Sequence, residues 1–180
     1  MQPTPTRAEI PEEVARSIVA TNIGQVATAL SDGKVLVTGG VGEGLVAADA
    51  AFVGDPATGR WEPVGPMHTS RVLHTATALS DGSVLIAGGV SDFESTAAAE
   101  VFNPDTKTWT RVGDLAGPVG GHTAVLLSDG RVLVSGGRST GATRESGQQV
   151  YDPETESWTE PPHSPRDAAA IPLLCSKMAG

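Results

Sequence analysis

Very little in this sequence can support disulfide, membrane or nucleic-acid chemistry. The one cysteine, Cys175, rules out an intrachain disulfide, which suits a reducing compartment without requiring one. Lysine and arginine number 12 against 21 acidic residues, a formal charge of -9, so no basic stripe exists to neutralise phosphates. No apolar run approaches the ~18 residues of a membrane-spanning helix. Met1–Ala20 has prolines and glutamates where a signal peptide would have its apolar core. The expectation is a soluble, cytoplasmic chain, or one trimmed of its signal, with neither a nucleic-acid nor a membrane partner. Aromatics are few as well: Phe52, Phe93, Phe102, Trp61, Trp109, Trp158 and Tyr151.

What the chain does have is glycine (22) and proline (13), which favour many short strands joined by turns. Leu79-Ser80-Asp81-Gly82-Ser83-Val84-Leu85-Ile86-Ala87-Gly88-Gly89 reads as a strand, an Asp-Gly turn and a second strand closed by a glycine pair. A type I′ turn with positive φ at both central residues is expected at Asp-Gly. The same phrase occurs around Asp32-Gly33 and Asp129-Gly130, and the three aspartates are 49 and 48 residues apart. This is an internal repeat.

Each unit predicts four strands. The first is Gly24–Leu30, Leu73–Leu79 or His122–Leu127, and the second is Lys34–Thr38, Ser83–Ala87 or Arg131–Ser135. The third is Val46–Val53, Ala97–Asn103 or Gln148–Asp152. A turn with Asp or Asn before Pro follows, at Asp55-Pro56, Asn103-Pro104 and Asp152-Pro153, which is type I chemistry. The fourth strand carries a tryptophan: Arg60–Val64, Thr108–Val112 or Ser157–Glu160. Four antiparallel strands in about 48 residues is the signature of a propeller blade, with one tryptophan per blade filling space between sheets.

The glycine pairs, the phrases Val101-Phe102-Asn103-Pro104 and Val150-Tyr151-Asp152-Pro153, and the spaced tryptophans resemble kelch repeats over about residues 22–174. The resemblance implies an all-β propeller, with each blade's first strand near the axis and its fourth at the rim. Blades are expected at about 22–65, 70–113 and 118–162, with an arm or short helix over 1–21 and a tail over 175–180. The first repeat departs from the pattern, with Gly54 in place of Phe102 and Tyr151, and Gln25 in place of His74 and His122. Arg166–Leu174 matches Arg71–Leu79, a leftover inner strand. Kelch propellers close with six or seven blades, so three predict a homodimer completing a six-bladed ring; a higher oligomer or a longer parent chain are the alternatives.

Strand parity puts the tight turns on one face of the blades. The longer, unequal connections fall on the other, which is where function is expected. Candidate ligand-binding residues there are Asp92, Phe93, Glu94, Arg138 and Arg144. His74, His122 and Arg71 stand at the start of inner strands, where acid–base catalysis is conceivable, although histidine at that repeat position also suits simple packing. No metal set has diagnostic spacing, and no cofactor fingerprint appears. Some kelch propellers are copper radical oxidases, but Tyr151 is the only tyrosine and occupies the repeat's structural aromatic position. The favoured function is therefore a module that binds a protein, glycan or small-molecule ligand. A small isomerase, cyclase or lyase is the alternative.

Overall fold

The computed structural model describes residues 24–42, 45–140 and 147–161. The readings on 1–21, Arg144, Arg166–Leu174 and 175–180 lie outside them. Three four-stranded antiparallel sheets follow one another along the chain. Blade 1 is β1 (Val26–Ala29), β2 (Val35–Thr38), β3 (Ala51–Asp55) and β4 (Arg60–Val64). Blade 2 is β5 (Thr75–Ala78), β6 (Val84–Ala87), β9 (Ala99–Asn103) and β10 (Thr108–Arg111), with a small hairpin, β7 (Val90–Ser91) and β8 (Glu94–Ser95), inserted in its second connection. Blade 3 is β11 (Thr123–Leu126), β12 (Val132–Ser135), β13 (Gln149–Asp152) and β14 (Ser157–Thr159). The predicted strands are all present, most of them shorter by a residue or two. The third strand of the first repeat starts at Ala51 rather than Val46, because Ala47 is engaged instead in a bridge to Val41.

The Asp-Gly turns differ from the type I′ expectation. Gly33 N–H donates to Leu30 O at 3.0 Å and Leu30 N–H to Lys34 O at 2.8 Å, which closes a three-residue loop. Only the glycine takes a positive φ (+83° at Gly33, +88° at Gly82, +87° at Gly130), giving a type I turn ending in a glycine bulge. The aspartate stays right-handed because its carboxylate has another task. Asp32, Asp81 and Asp129 each accept the backbone N–H two residues on, at 2.9–3.2 Å.

The core lies between the blades. Strand β6 buries both of its faces: Val84 and Ile86 join Leu30, Leu36, Val53, Met67 and Phe102 in the seam with blade 1. Leu85 and Ala87 join Val119, Val132, Val134 and Tyr151 in the seam with blade 3. A central strand apolar on both faces is what stacking demands, and each large aliphatic side chain so buried stabilises by roughly 1.5–3 kcal/mol. Inner strands lie side by side in the order β1, β5, β11, with Thr28 Oγ1 donating to Ala76 O at 3.2 Å. The tryptophans sit at the rim and are only half-buried. Trp109 packs on Phe102 with ring centroids 4.8 Å apart, Trp158 on Tyr151 at 5.1 Å, and Trp61 lies over Gly54, where no side chain would fit.

Candidate functional site

The two faces of the blades differ in what their side chains leave unsatisfied. On the turn face three cations pair with nearby carboxylates: Lys34 with Asp32 at 2.7 Å, Lys107 with Glu62 at 2.6 Å and Arg131 with Asp129 at 2.7 Å. These exposed pairs contribute little to stability, and they occupy the groups that a ligand would otherwise use.

The loop face is knitted together across the blades. Val90 of β7 bridges Val72 ahead of blade 2, and Arg138 bridges Gly120 ahead of blade 3. Ser95 N–H donates to Thr140 Oγ1 at 2.7 Å, Thr140 N–H donates back to Ser95 Oγ at 3.0 Å, and Ser70 and Ser91 share a hydroxyl–hydroxyl bond at 2.8 Å. The connection between the second and third strands of blade 2 is thus no plain loop, since β7 and β8 pair in it as a hairpin with a two-residue turn. Its tip, Asp92-Phe93, has φ of +49° and +69°, so the type I′ geometry expected at the Asp-Gly turns occurs here instead. Phe93 is 81% exposed. An aromatic held left-handed and turned to solvent is costly twice over, in backbone strain and in exposed apolar area.

Beside this hairpin is an open hollow of about 650 Å³, whose lining includes Leu73, Val90, Gly136, Gly137, Arg138 and Thr140. Leu73 is 54% exposed and has a φ of +55°. The Arg138 side chain is exposed and has no ion-pair partner among the described residues. Asp92 and Glu94 flank Phe93 on the hairpin. The hollow thus offers apolar wall, backbone polar groups and one unpaired cation. Leu73 was missed because its neighbours Val72 and His74 gave it an ordinary inner-strand pattern.

Arg71, His74 and His122 occupy a different, buried layer. Arg71 is fully buried and donates to Gly88 O at 2.7 Å, Ala98 O at 2.9 Å and Glu100 Oε1 at 2.7 Å. Glu100 was not singled out from the sequence, although it is a charge in an otherwise apolar strand. Its carboxylate also receives the His68 N–H at 2.7 Å, the His68 ring at 2.9 Å and the Thr69 N–H at 3.1 Å. Burial alone would raise the Glu100 carboxyl, but the bond from the His68 backbone and the Arg71 charge outweigh it and hold it below its ordinary value. Burial lowers the Arg71 guanidinium, opposed by that same carboxylate.

Each histidine reaches back to the blade before it. His74 Nε2 lies 2.8 Å from Thr38 Oγ1, and His122 Nε2 lies 2.9 Å from Thr75 Oγ1. Burial pushes His74 down to about 3, with the Arg71 charge adding to it, and pushes His122 down to about 4. Both rings are neutral near pH 7, and their Nδ1 atoms have no hydrogen-bond partner. Neither histidine is among the residues that line the hollow, although His122 packs behind Gly137, one of its walls. Among the described residues no cluster of three or more His, Cys, Asp or Glu could hold a metal ion, and no helix is long and apolar enough to cross a membrane.

Residues 71–116 match the kelch motif. That span takes in the segment leading into blade 2, its four strands and the start of the connection to blade 3. The kelch resemblance read from the repeats therefore holds at the second of them. No curated protein matches the chain.

Proposed function

We propose that the chain is a kelch-type recognition module that binds a protein or peptide on its loop face, and that two copies complete a six-bladed ring. Phe93 carries the reading. Its exposure and its left-handed backbone oppose stability together, and the hairpin that holds it is braced through Ser95 and Thr140 against the loop of the next blade. Strain of this kind is kept where it positions a contact. Leu73 supplies a second apolar anchor and Arg138 a charge, the combination found at binding hot spots. The kelch motif supports the same reading, since such propellers commonly bind other proteins.

An acid–base enzyme remains the second reading, favoured by the unpartnered Nδ1 atoms of His74 and His122. Their burial and their bonds to threonines of the preceding blade weigh toward a packing role.

Selection of a random peptide library on the protein tests the proposal. Peptides recovered on the wild type should lose binding to Phe93→Asn and Arg138→Ala and keep it on Asp129→Asn, a turn-face change. Asparagine tolerates positive φ, so Phe93→Asn should leave thermal stability equal or slightly higher. Peptides that bind all three variants alike would overturn the assignment of the face. A glycan or small-molecule ligand is favoured instead if no peptide is recovered.

A further inference from the structure

Four large apolar side chains on the loop face are exposed. Leu45 and Val46 stand on the second connection of blade 1, Leu73 at the entry to blade 2, and Phe93 on the β7–β8 hairpin. Three of them, Leu45, Leu73 and Phe93, also hold a positive φ, of +63°, +55° and +69°. At Leu73 the repeat itself supplies the comparison. Its counterparts in the other two blades are Gly24 and Gly121, which take the same left-handed backbone at +77° and +66°. Glycine adopts that conformation without strain, so leucine there gives up stability and adds exposed apolar area. Turn chemistry accounts for none of the three, since glycine or asparagine would suit each position better.

The charges around these side chains are mostly of one sign. The described loop-face connections expose the carboxylates of Asp49, Asp92, Glu94 and Asp114 and a single arginine, Arg138. None of the four carboxylates has an ion-pair partner among the described residues. On the turn face, by contrast, Asp32, Glu62 and Asp129 each have one. Unpaired carboxylates beside exposed apolar groups suit a cation carried on an apolar stem. Asp92 and Glu94 flank Phe93 in the chain, so a cation drawn to them can also lie on the ring.

We infer that the occupant of this face is a basic amphipathic peptide segment. Its apolar side chains cover Leu45, Leu73 and Phe93, and its arginine or lysine meets Asp92, Glu94 and the Phe93 ring. This inference rests on the loop-face reading proposed above and names the chemistry of the partner. The formal charge of -9 adds a long-range attraction for such a segment. Arg138, the one exposed arginine among these groups, is left for a carbonyl of the bound backbone.

The probes are peptides recovered from a random library displayed on phage, then resynthesised. Those enriched on the wild type should carry arginine or lysine beside apolar residues. Exchanging that residue for its neutral counterpart, citrulline or acetyl-lysine, should weaken binding about tenfold, the combined share of an exposed cation–π contact and surface ion pairs. On the double variant Asp92→Asn with Glu94→Gln the same exchange should cost only about two- to fivefold, the share left to the ring. Leu73→Gly and Leu45→Asn should weaken the recovered peptides yet melt at the same or a higher temperature, because each relieves a left-handed leucine. Enriched peptides that are acidic or uncharged overturn the basic partner, and the loop-face reading stands if Phe93→Asn still releases them. Basic peptides with an undiminished penalty on the double variant also overturn it, since the cation is then read elsewhere. A chain that is dimeric by light scattering and becomes single in Phe93→Asn seats a second copy here and overturns the basic segment. Recovery of no peptide overturns both readings.

Discussion

The two internal seams solve one problem with different chemistry. Where blade 2 joins blade 1, the buried positions are Arg71 and Glu100; where blade 3 joins blade 2, the equivalent positions are Val119 and Gln149. One hydrogen bond survives the change. Glu100 Oε2 accepts the His68 N–H at 2.7 Å, and Gln149 Oε1 accepts the N–H of Ala116, the matching residue, at the same distance. The fold therefore needs an acceptor at this point to hold the incoming backbone, and a neutral amide serves. The ion pair is an elaboration, and a buried pair gains little over well-packed neutral groups once its desolvation is counted.

The largest expected effect comes from breaking the charged seam on one side only. Arg71→Ala leaves Glu100 buried without its cation and should cost about 3–5 kcal/mol in urea unfolding at fixed protein concentration. The double variant Arg71→Val with Glu100→Gln copies the second seam and should recover most of that loss, to within about 1–2 kcal/mol of the wild type. If the double variant is as unstable as the single one, the seams are not equivalent and the charge is required.

Acid should weaken both seams through their histidines. In the folded chain His74 and His122 titrate at about 3 and about 4, against 6.5 for the free side chain. The unfolded state thus takes up protons first, and stability falls as pH drops below about 6.5 until the folded values are reached. Each histidine should account for roughly 2 kcal/mol between pH 7 and pH 5. Glu100 has a lowered pKa, so its share is lost only at more acid pH, below the ordinary carboxylate range. Replacing His122 by Gln, the residue found at the equivalent Gln25, should flatten the slope by one histidine's share; an unchanged slope would mean the ring is not buried.

A smaller effect compares two of the rim tryptophans. Trp109→Phe removes the indole bond to Gly65 O and should cost about 1 kcal/mol. The Trp61 indole has no acceptor among the described residues, so Trp61→Phe should cost nothing measurable. Equal losses would show that Trp61 has an acceptor within its own chain.

Much of this architecture was legible in the sequence because its determinants are local. Asp-Gly, Asp-Pro and the glycine pairs punctuate the chain, and two-residue alternation and the tryptophans fix strand order and blade spacing. Register within each blade follows from turns a few residues long. Even there the turn type was misjudged, since the side chain of Asp32 bonds the backbone of Lys34 and leaves the positive φ to Gly33 alone. Local reading also found Phe93 and Arg138 as an exposed aromatic and a loop cation, but missed Leu73, whose neighbours gave it an ordinary strand pattern.

What tertiary structure alone decided is the meaning of residues that act across blades. Arg71 and Glu100 are 29 positions apart and pair only because the segment leading into blade 2 crosses the ends of its own strands. His74 and His122 resembled an acid–base pair in sequence, yet each one's bond is with a threonine of the preceding blade. The Asp92-Phe93 tip is left-handed because β7 is pinned to Val72 and β8 to Thr140, and no neighbour in the sequence announces either contact. Turn chemistry and side-chain period act over a few residues and are written in order along the chain. Burial and pairing between blades depend on distances that exist only once the sheets have stacked.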